Sequence, residues 1–136
     1  MVIRPYQHKD QLAVIKLWEK AFPESPPWNK PIEDIRRKLN IQPELFLVAE
    51  LEGGIIGTAM GGFDGHRGWV YYVAVHPDFR LQGIGLSLME KIEQGLKSIG
   101  CTKLNLQVRS NNTAVIEFYK QLGYAVEDRI SMAKRL

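Results

Sequence analysis

Val75-His76-Pro77-Asp78-Phe79-Arg80-Leu81-Gln82-Gly83-Ile84-Gly85-Leu86 is the stretch on which the fold turns. Before it, Trp69-Val70-Tyr71-Tyr72-Val73-Ala74-Val75 is aromatic and β-branched without clean alternation, the pattern of a central strand covered on both faces. After it, Ile84, Leu88, Ile92, Leu96 and Ile99 recur on one side of a long helix, with Glu93 and Lys97 as an outward i,i+4 pair and Gly100 closing it. Residues 103–108 then alternate, with Leu104, Leu106 and Val108 on one side, and read as the next strand. Strand, long helix, strand is a βαβ unit, whose crossover is right-handed.

Upstream, residues 2–6 read as a short strand, followed by a helix with Leu12, Ile15, Trp18 and Ala21 or Phe22 at helical spacing. Pro23, Pro26, Pro27 and Pro31 break residues 23–31 into a loop, because proline lacks the amide donor and restricts its predecessor. Pro31 can start a second helix, with Ile32, Ile35 and Leu39 on one face, ending near Ile41. Residues 45–51 and 55–62 form a hairpin about Glu52-Gly53-Gly54. Downstream, Asn111 or Asn112 can cap a helix with Val115, Phe118, Tyr119 and Leu122 in one stripe, and Gly123 closes it. Residues 124–126 and 130–133 read as a final pair of short strands. These elements make an α/β (α+β) mixed sheet in one domain, residues 1–136.

Composition bounds the function. The 136 residues are 45% hydrophobic and carry a net charge of +3 spread along the chain, which suits an anionic ligand and gives no basic arm for nucleic acid. Cys101 is the only cysteine, so no internal disulfide and no cysteine-rich zinc site can form, and a cytoplasmic setting is expected. His8 and His76 have no ligand-spaced partners, so no metal is expected. The N-terminus lacks a signal-peptide pattern and no stretch reaches membrane-spanning length, so no membrane partner is expected.

At the glycine turn, Gly83 and Gly85 remove the side chains that would keep a ligand from the backbone. The first amides of the long helix have no internal acceptors and lie at its positive end. A phosphate or pyrophosphate is the natural guest, and Arg80 can add a charge-assisted bond. The dinucleotide fingerprint fails because Leu88 stands where its third glycine belongs, and no Walker loop exists. Taken alone, the two glycines also suit a tight helix entry with no ligand.

Val75, Pro77, Arg80, Gly83 and Gly85 spell Val-x-Pro-x-x-Arg-x-x-Gly-x-Gly, which resembles the acetyl-CoA-binding motif of the GNAT acetyltransferases. Asn111, Ala114, Tyr119 and Gly123-Tyr124 resemble the superfamily's second motif. Residues 45–50 and 61–68 look most like its bacterial YpeA-type members. The resemblance covers the chain from first strand to last. It implies a mixed, mostly antiparallel sheet of about six to seven strands with about four flanking helices.

The resemblance also implies roles. Backbone amides at Gln82, Gly83, Ile84 and Gly85, with Arg80, would hold the CoA pyrophosphate, and Val73 and Val75 would pair with its pantetheine arm. Asn111 would contact the pantetheine or cap the last helix. Tyr119 would donate a proton or a hydrogen bond to the departing thiolate; its other reading is core packing. A phenol of pKa about 10 gives up its proton to a thiolate of roughly 8.5 at a cost of about 2 kcal/mol, so hydrogen bonding is the larger part of that role. Gln107 stands where ribosomal-protein N-terminal acetyltransferases place a glutamate base, and glutamine takes no proton. Asp64, His66 or a water chain ending at Tyr71 are substitute bases, each with a plain alternative as turn, loop or core residue. Trp28 either walls the acceptor site or staples its loop.

The expected activity is acetyl transfer from acetyl-CoA to a primary amine, with a non-catalytic acyl-CoA-binding module as the alternative. The final strands leave a homodimer open.

Overall fold

The computed structural model describes residues 1–136, in two compact units, Met1–Leu106 and Gln107–Leu136. The first unit holds a five-stranded sheet in the order β1-β2-β3-β4-β5. Its strands are β1 (Val2–Pro5), β2 (Phe46–Leu51), β3 (Gly54–Phe63), β4 (Gly68–Val75) and β5 (Leu104–Asn105), and its helices are α1 (Gln11–Ala21), α2 (Pro31–Lys38) and α3 (Ile84–Ser98). The first four strands are antiparallel neighbours, and β5 alone lies parallel, beside β4. The parallel pair is the βαβ unit read from the sequence, with α3 as its crossover.

Each face of the sheet is covered for a reason visible in side-chain size. On one face α3 approaches closely because β3 presents glycines to it. A Cβ at Gly57 would lie 3.0 Å from Leu88, and one at Gly61 would lie 3.1 Å from Ile92. On the other face, Val14, Leu17 and Trp18 of α1 and Ile35 of α2 pack with Tyr6, Phe46, Val48, Met60 and Ala74. Tyr6 stacks on Phe46 at 4.6 Å, and Trp18 stacks on Tyr72 at 3.8 Å. Burying side chains of this size contributes about 1.5–3 kcal/mol each. At the end of α2, Lys38 is buried with its Nζ donating to the Gly61 carbonyl. Gln42 exchanges two hydrogen bonds with the Phe63 backbone, at 2.8 and 2.9 Å, as a neighbouring strand would.

The predicted strand over 103–108 is cut to two residues. Pairing runs only Gly68↔Leu104 and Trp69↔Asn105. Two residues further along β4 the ladder to β3 shifts register. Such an inserted residue bends a strand and ends regular pairing. The β4 edge beyond Trp69 is therefore free of β5.

The second unit holds α4 (Thr113–Gln121). Asn112 caps it, its side chain accepting from the Val115 amide at 3.4 Å, and Gly123 follows at φ 95°. The final strand pair expected over 124–126 and 130–133 is not formed, so the sheet has five strands and not six or seven. The reason is that β-branched residue types favour a strand without creating one; a partner ladder must be present. Val126, Ile130 and Met132 are 76%, 90% and 89% exposed instead. No helix is long and apolar enough to cross a membrane.

Candidate active site

The glycine turn is built as its sequence demands. His76, the residue after β4, donates its amide to the Ile56 carbonyl at 2.8 Å, and its Nδ1 accepts from the Asp78 amide at 3.1 Å. One 3-10 turn over Pro77–Phe79 leads to Arg80, whose Nε donates to the Val75 carbonyl at 3.4 Å. The chain then enters the left-handed region twice, at Leu81 (φ 63°) and Gly83 (φ 80°). Leu81 carries a strain of about 1–2 kcal/mol there. Gly83 carries none, and since a Cβ on it would meet nothing within 4 Å, its backbone conformation is what calls for glycine.

Gly83 is the N-cap of α3, and its carbonyl takes the first intrahelical bond from Ser87 at 3.0 Å. The amides of Gly83, Ile84, Gly85 and Leu86 precede that bond and have no acceptor within the helix. They form a donor cluster at the positive end of a 15-residue helix. Arg80 is exposed beside them, and Lys20 Nζ lies 3.5 Å from His76 Nε2. Open space at Gly83, free amides and nearby cations suit a phosphate or pyrophosphate.

The strand leading into this turn is irregular at its centre. Thr58 pairs with Ala74 and Met60 with Tyr71, so one residue of β3 faces both Tyr72 and Val73. Tyr72 sits at φ 52°, an uncommon conformation for a bulky residue. Its ring stacks on Trp18, and its carbonyl accepts from Thr58 Oγ1 at 2.7 Å. Its hydroxyl donates to Asp34 Oδ2 at 2.6 Å. Burial, then the Asp34 hydrogen bond, pushes the Tyr72 phenol well above its usual pKa. Sequence reasoning missed Tyr72, Thr58 and Asp34. The available signal was the broken alternation of residues 69–75, which is what an inserted residue produces. Tyr71, by contrast, is 55% exposed and is no core residue.

The structure gathers Val73, Val75, Arg80 and Gln82 to Gly85 along one strand end and its turn. Asp64 and His66 lie elsewhere, in the loop preceding β4, about 23 Å of extended strand away. Asp64 Oδ1 accepts from the amides of His66 and Arg67, both at 2.8 Å. The Arg67 amide, then the His66 amide, holds that carboxyl below the usual range, which weakens it as a base. Trp28 is 56% exposed in the loop between α1 and α2.

In the second unit Tyr119 is buried, with Phe118 and Tyr124 edge-on at 5.0 and 5.7 Å. Burial pushes its phenol up to about 12. The capping role falls to Asn112, leaving Asn111 exposed one residue earlier. Gln107 Nε2 donates to Ser131 Oγ at 2.6 Å.

Known proteins resemble the chain in sequence and in fold. The family model described as acetyltransferase (GNAT) family matches residues 12–124. An acetyltransferase of Yersinia enterocolitica is 52% identical over 136 residues, covering all of this chain and 96% of that protein. The crystal structure of the ribosomal-protein-S18-alanine N-acetyltransferase of Escherichia coli superposes with a TM-score of 0.73 at 25% identity, covering 90% of this chain and 76% of that one. AAC(6')-Iy, in complex with the bisubstrate analogue CoA-S-monomethyl-acetylneamine, superposes with a TM-score of 0.83 at 17% identity, covering 99% and 97%, and so shares the fold. The chain is an acyltransferase and belongs to the GNAT family of acetyltransferases.

Proposed function

We propose that the chain moves an acetyl group from acetyl-CoA to a primary amine. The observation that carries this reading is the open edge of β4, which runs past Val73 and Val75 directly into the free amides of the glycine turn. An extended amide-bearing arm ending in a pyrophosphate matches that sequence of donors and acceptors. Acetyl-CoA, when bound, supplies the activated thioester.

The chain's own residues then have separable tasks. Backbone groups of Val73 and Val75 orient the arm by strand-like pairing. The amides of Gln82 to Gly85, with Arg80, hold the pyrophosphate, and Asn111 is assigned to the arm because Asn112 already serves the helix. Tyr119 is assigned to the thiolate. With its phenol pushed up to about 12, full proton transfer to a thiolate of roughly 8.5 is uphill by about 5 kcal/mol. Its contribution is a hydrogen bond to the developing charge.

The amine must arrive neutral. Deprotonating a lysine-like ammonium at neutral pH costs roughly 4–5 kcal/mol, whereas an α-amine near 8 costs about 1 kcal/mol. Gln107 accepts no proton and Asp64 is a weakened base, so an acceptor of low pKa is favoured.

The test is free-thiol release from acetyl-CoA across a panel of amines, amino acids and peptides. Acceptor-dependent release is expected, fastest for amines of low pKa. Tight CoA binding with no acceptor-dependent release would replace this reading by a non-catalytic acyl-CoA-binding module, which Gln107 favours.

A further inference from the structure

Tyr72 is held at three separate points. Trp18 Nε1 donates to Thr58 Oγ1 at 2.9 Å, and Thr58 Oγ1 donates in turn to the Tyr72 carbonyl at 2.7 Å. Thr58 is fully buried, and the relay lies beside the register shift between β3 and β4. The ring of Tyr72 stacks on the Trp18 indole at 3.8 Å. Asp34, on α2, receives the hydroxyl at 2.6 Å. Three elements, α1, α2 and β3, thus converge on one residue at φ 52°. An uncommon backbone conformation persists only where surroundings over-determine it, and here they do.

The position of this residue matters. Val73 and Val75 follow it on the stretch of β4 that β5 leaves open. The direction of their amides and carbonyls depends on how the chain passes through Tyr72, because a bulge re-aims every group beyond it. We infer that Thr58 and Asp34 are positioning residues for the acyl donor: by holding Tyr72, they set the open edge of β4 in register for the pantetheine arm. Asp34 also makes α2 part of that setting, so a displacement of α2 reaches the donor edge through the Tyr72 hydroxyl. This rests on the acyl-CoA reading given above.

The experiment separates the arm from the phosphates. CoA engages both the β4 edge and the glycine turn, whereas adenosine 3′,5′-bisphosphate keeps the nucleotide and the first phosphate of the pyrophosphate and has no arm to reach the β4 edge. Both are titrated calorimetrically into the full chain and into Thr58→Val, Thr58→Ser and Tyr72→Phe. Thr58→Val keeps the side-chain shape and strands two buried polar groups, so CoA affinity should fall about tenfold. Bisphosphate affinity should change by less than about twofold, and Thr58→Ser should restore CoA binding. Tyr72→Phe loses only the Asp34 bond and should weaken CoA by about threefold.

Unchanged CoA affinity in both Thr58→Val and Tyr72→Phe overturns the inference. So does a parallel loss of CoA and bisphosphate, which marks a general structural role. If Thr58→Val does not fold, Tyr72→Phe and Asp34→Ala, each of which removes the hydroxyl bond, carry the comparison instead, with CoA weakened about threefold and bisphosphate affinity unchanged. A wild-type chain that binds no CoA refutes the acyl-CoA reading itself, and that outcome is visible before any variant is made.

Discussion

Gly57→Ala probes the link between the core and the phosphate cradle proposed at the glycine turn. A Cβ at residue 57 would lie 3.0 Å from Leu88 Cδ1, 3.1 Å from Ile84 Cγ2 and 3.2 Å from the Ala74 carbonyl oxygen. The two side chains can shift by a few tenths of an ångström. The carbonyl belongs to the β3–β4 ladder and cannot. Replacing glycine by alanine favours the folded state by about 0.4–1 kcal/mol through the unfolded chain. Overpacking of this kind costs about 1–3 kcal/mol, so the clash wins by about 1–2 kcal/mol. A loss of that size lowers Tm by about 3–10 °C in a domain of this length.

Because Ile84 is the first residue of α3, the displacement also moves the cradle amides. CoA affinity should fall about fivefold, equivalent to about 1 kcal/mol. Gly61→Ala is the control. Its Cβ meets Ile92 at 3.1 Å, eight residues further along α3, so stability should fall with CoA affinity unchanged. Denaturation midpoints and calorimetric CoA titrations of both variants read the two effects apart. An undiminished midpoint in Gly57→Ala, or CoA affinity lost equally in both variants, would refute the reasoning.

Three further outcomes are expected. Tyr119→Phe should lower turnover about 10- to 100-fold with CoA affinity nearly unchanged; equal turnover would remove Tyr119 from the chemistry. Asn112→Ala should cost about 0.5–2 kcal/mol of stability by loss of the α4 cap, whereas Asn111→Ala should weaken CoA without changing the midpoint. The Arg4 guanidinium, at 2.8 Å, holds the Asp10 carboxyl below the usual range. Since that folded-state pKa is depressed, the stabilisation is complete above the unfolded-state value of about 3.9 and is lost as pH falls through the folded value. Urea denaturation should show Asp10→Ala less stable than wild type by about 2–3 kcal/mol at neutral pH. The gap should begin to close below about pH 4 and vanish only below the depressed folded value, and a pH-independent gap would assign the loss to packing instead.

Local chemistry made much of this protein legible in its sequence. Helix α3 announced itself by an apolar stripe at 3.6-residue spacing, and the hairpin by Glu52-Gly53-Gly54. The glycine turn was readable because left-handed backbone and free helix amides are properties of a few consecutive residues. Two ordered motifs together then pointed to acyl-CoA where either alone would not. Strand lengths at the sheet's edge were not legible. Residues 103–108 and 130–133 have strand-forming side chains, but a ladder also needs a partner in register, which sequence alternation cannot supply.

Only tertiary structure decided how the centre of β4 is held. Thr58, Trp18, Asp34 and Tyr72 are separated by 14 to 40 residues where they bond across elements, and no spacing rule links them. Tyr71 and Tyr72 are adjacent and chemically identical, yet one is 55% exposed and the other is stacked, hydrogen-bonded and twisted to positive φ. The sequence determined the glycine turn, because a few neighbouring residues suffice to free the amides at the start of a helix. The register shift between β3 and β4 determined which tyrosine turns inward, because the face a strand residue occupies depends on its partner across the ladder.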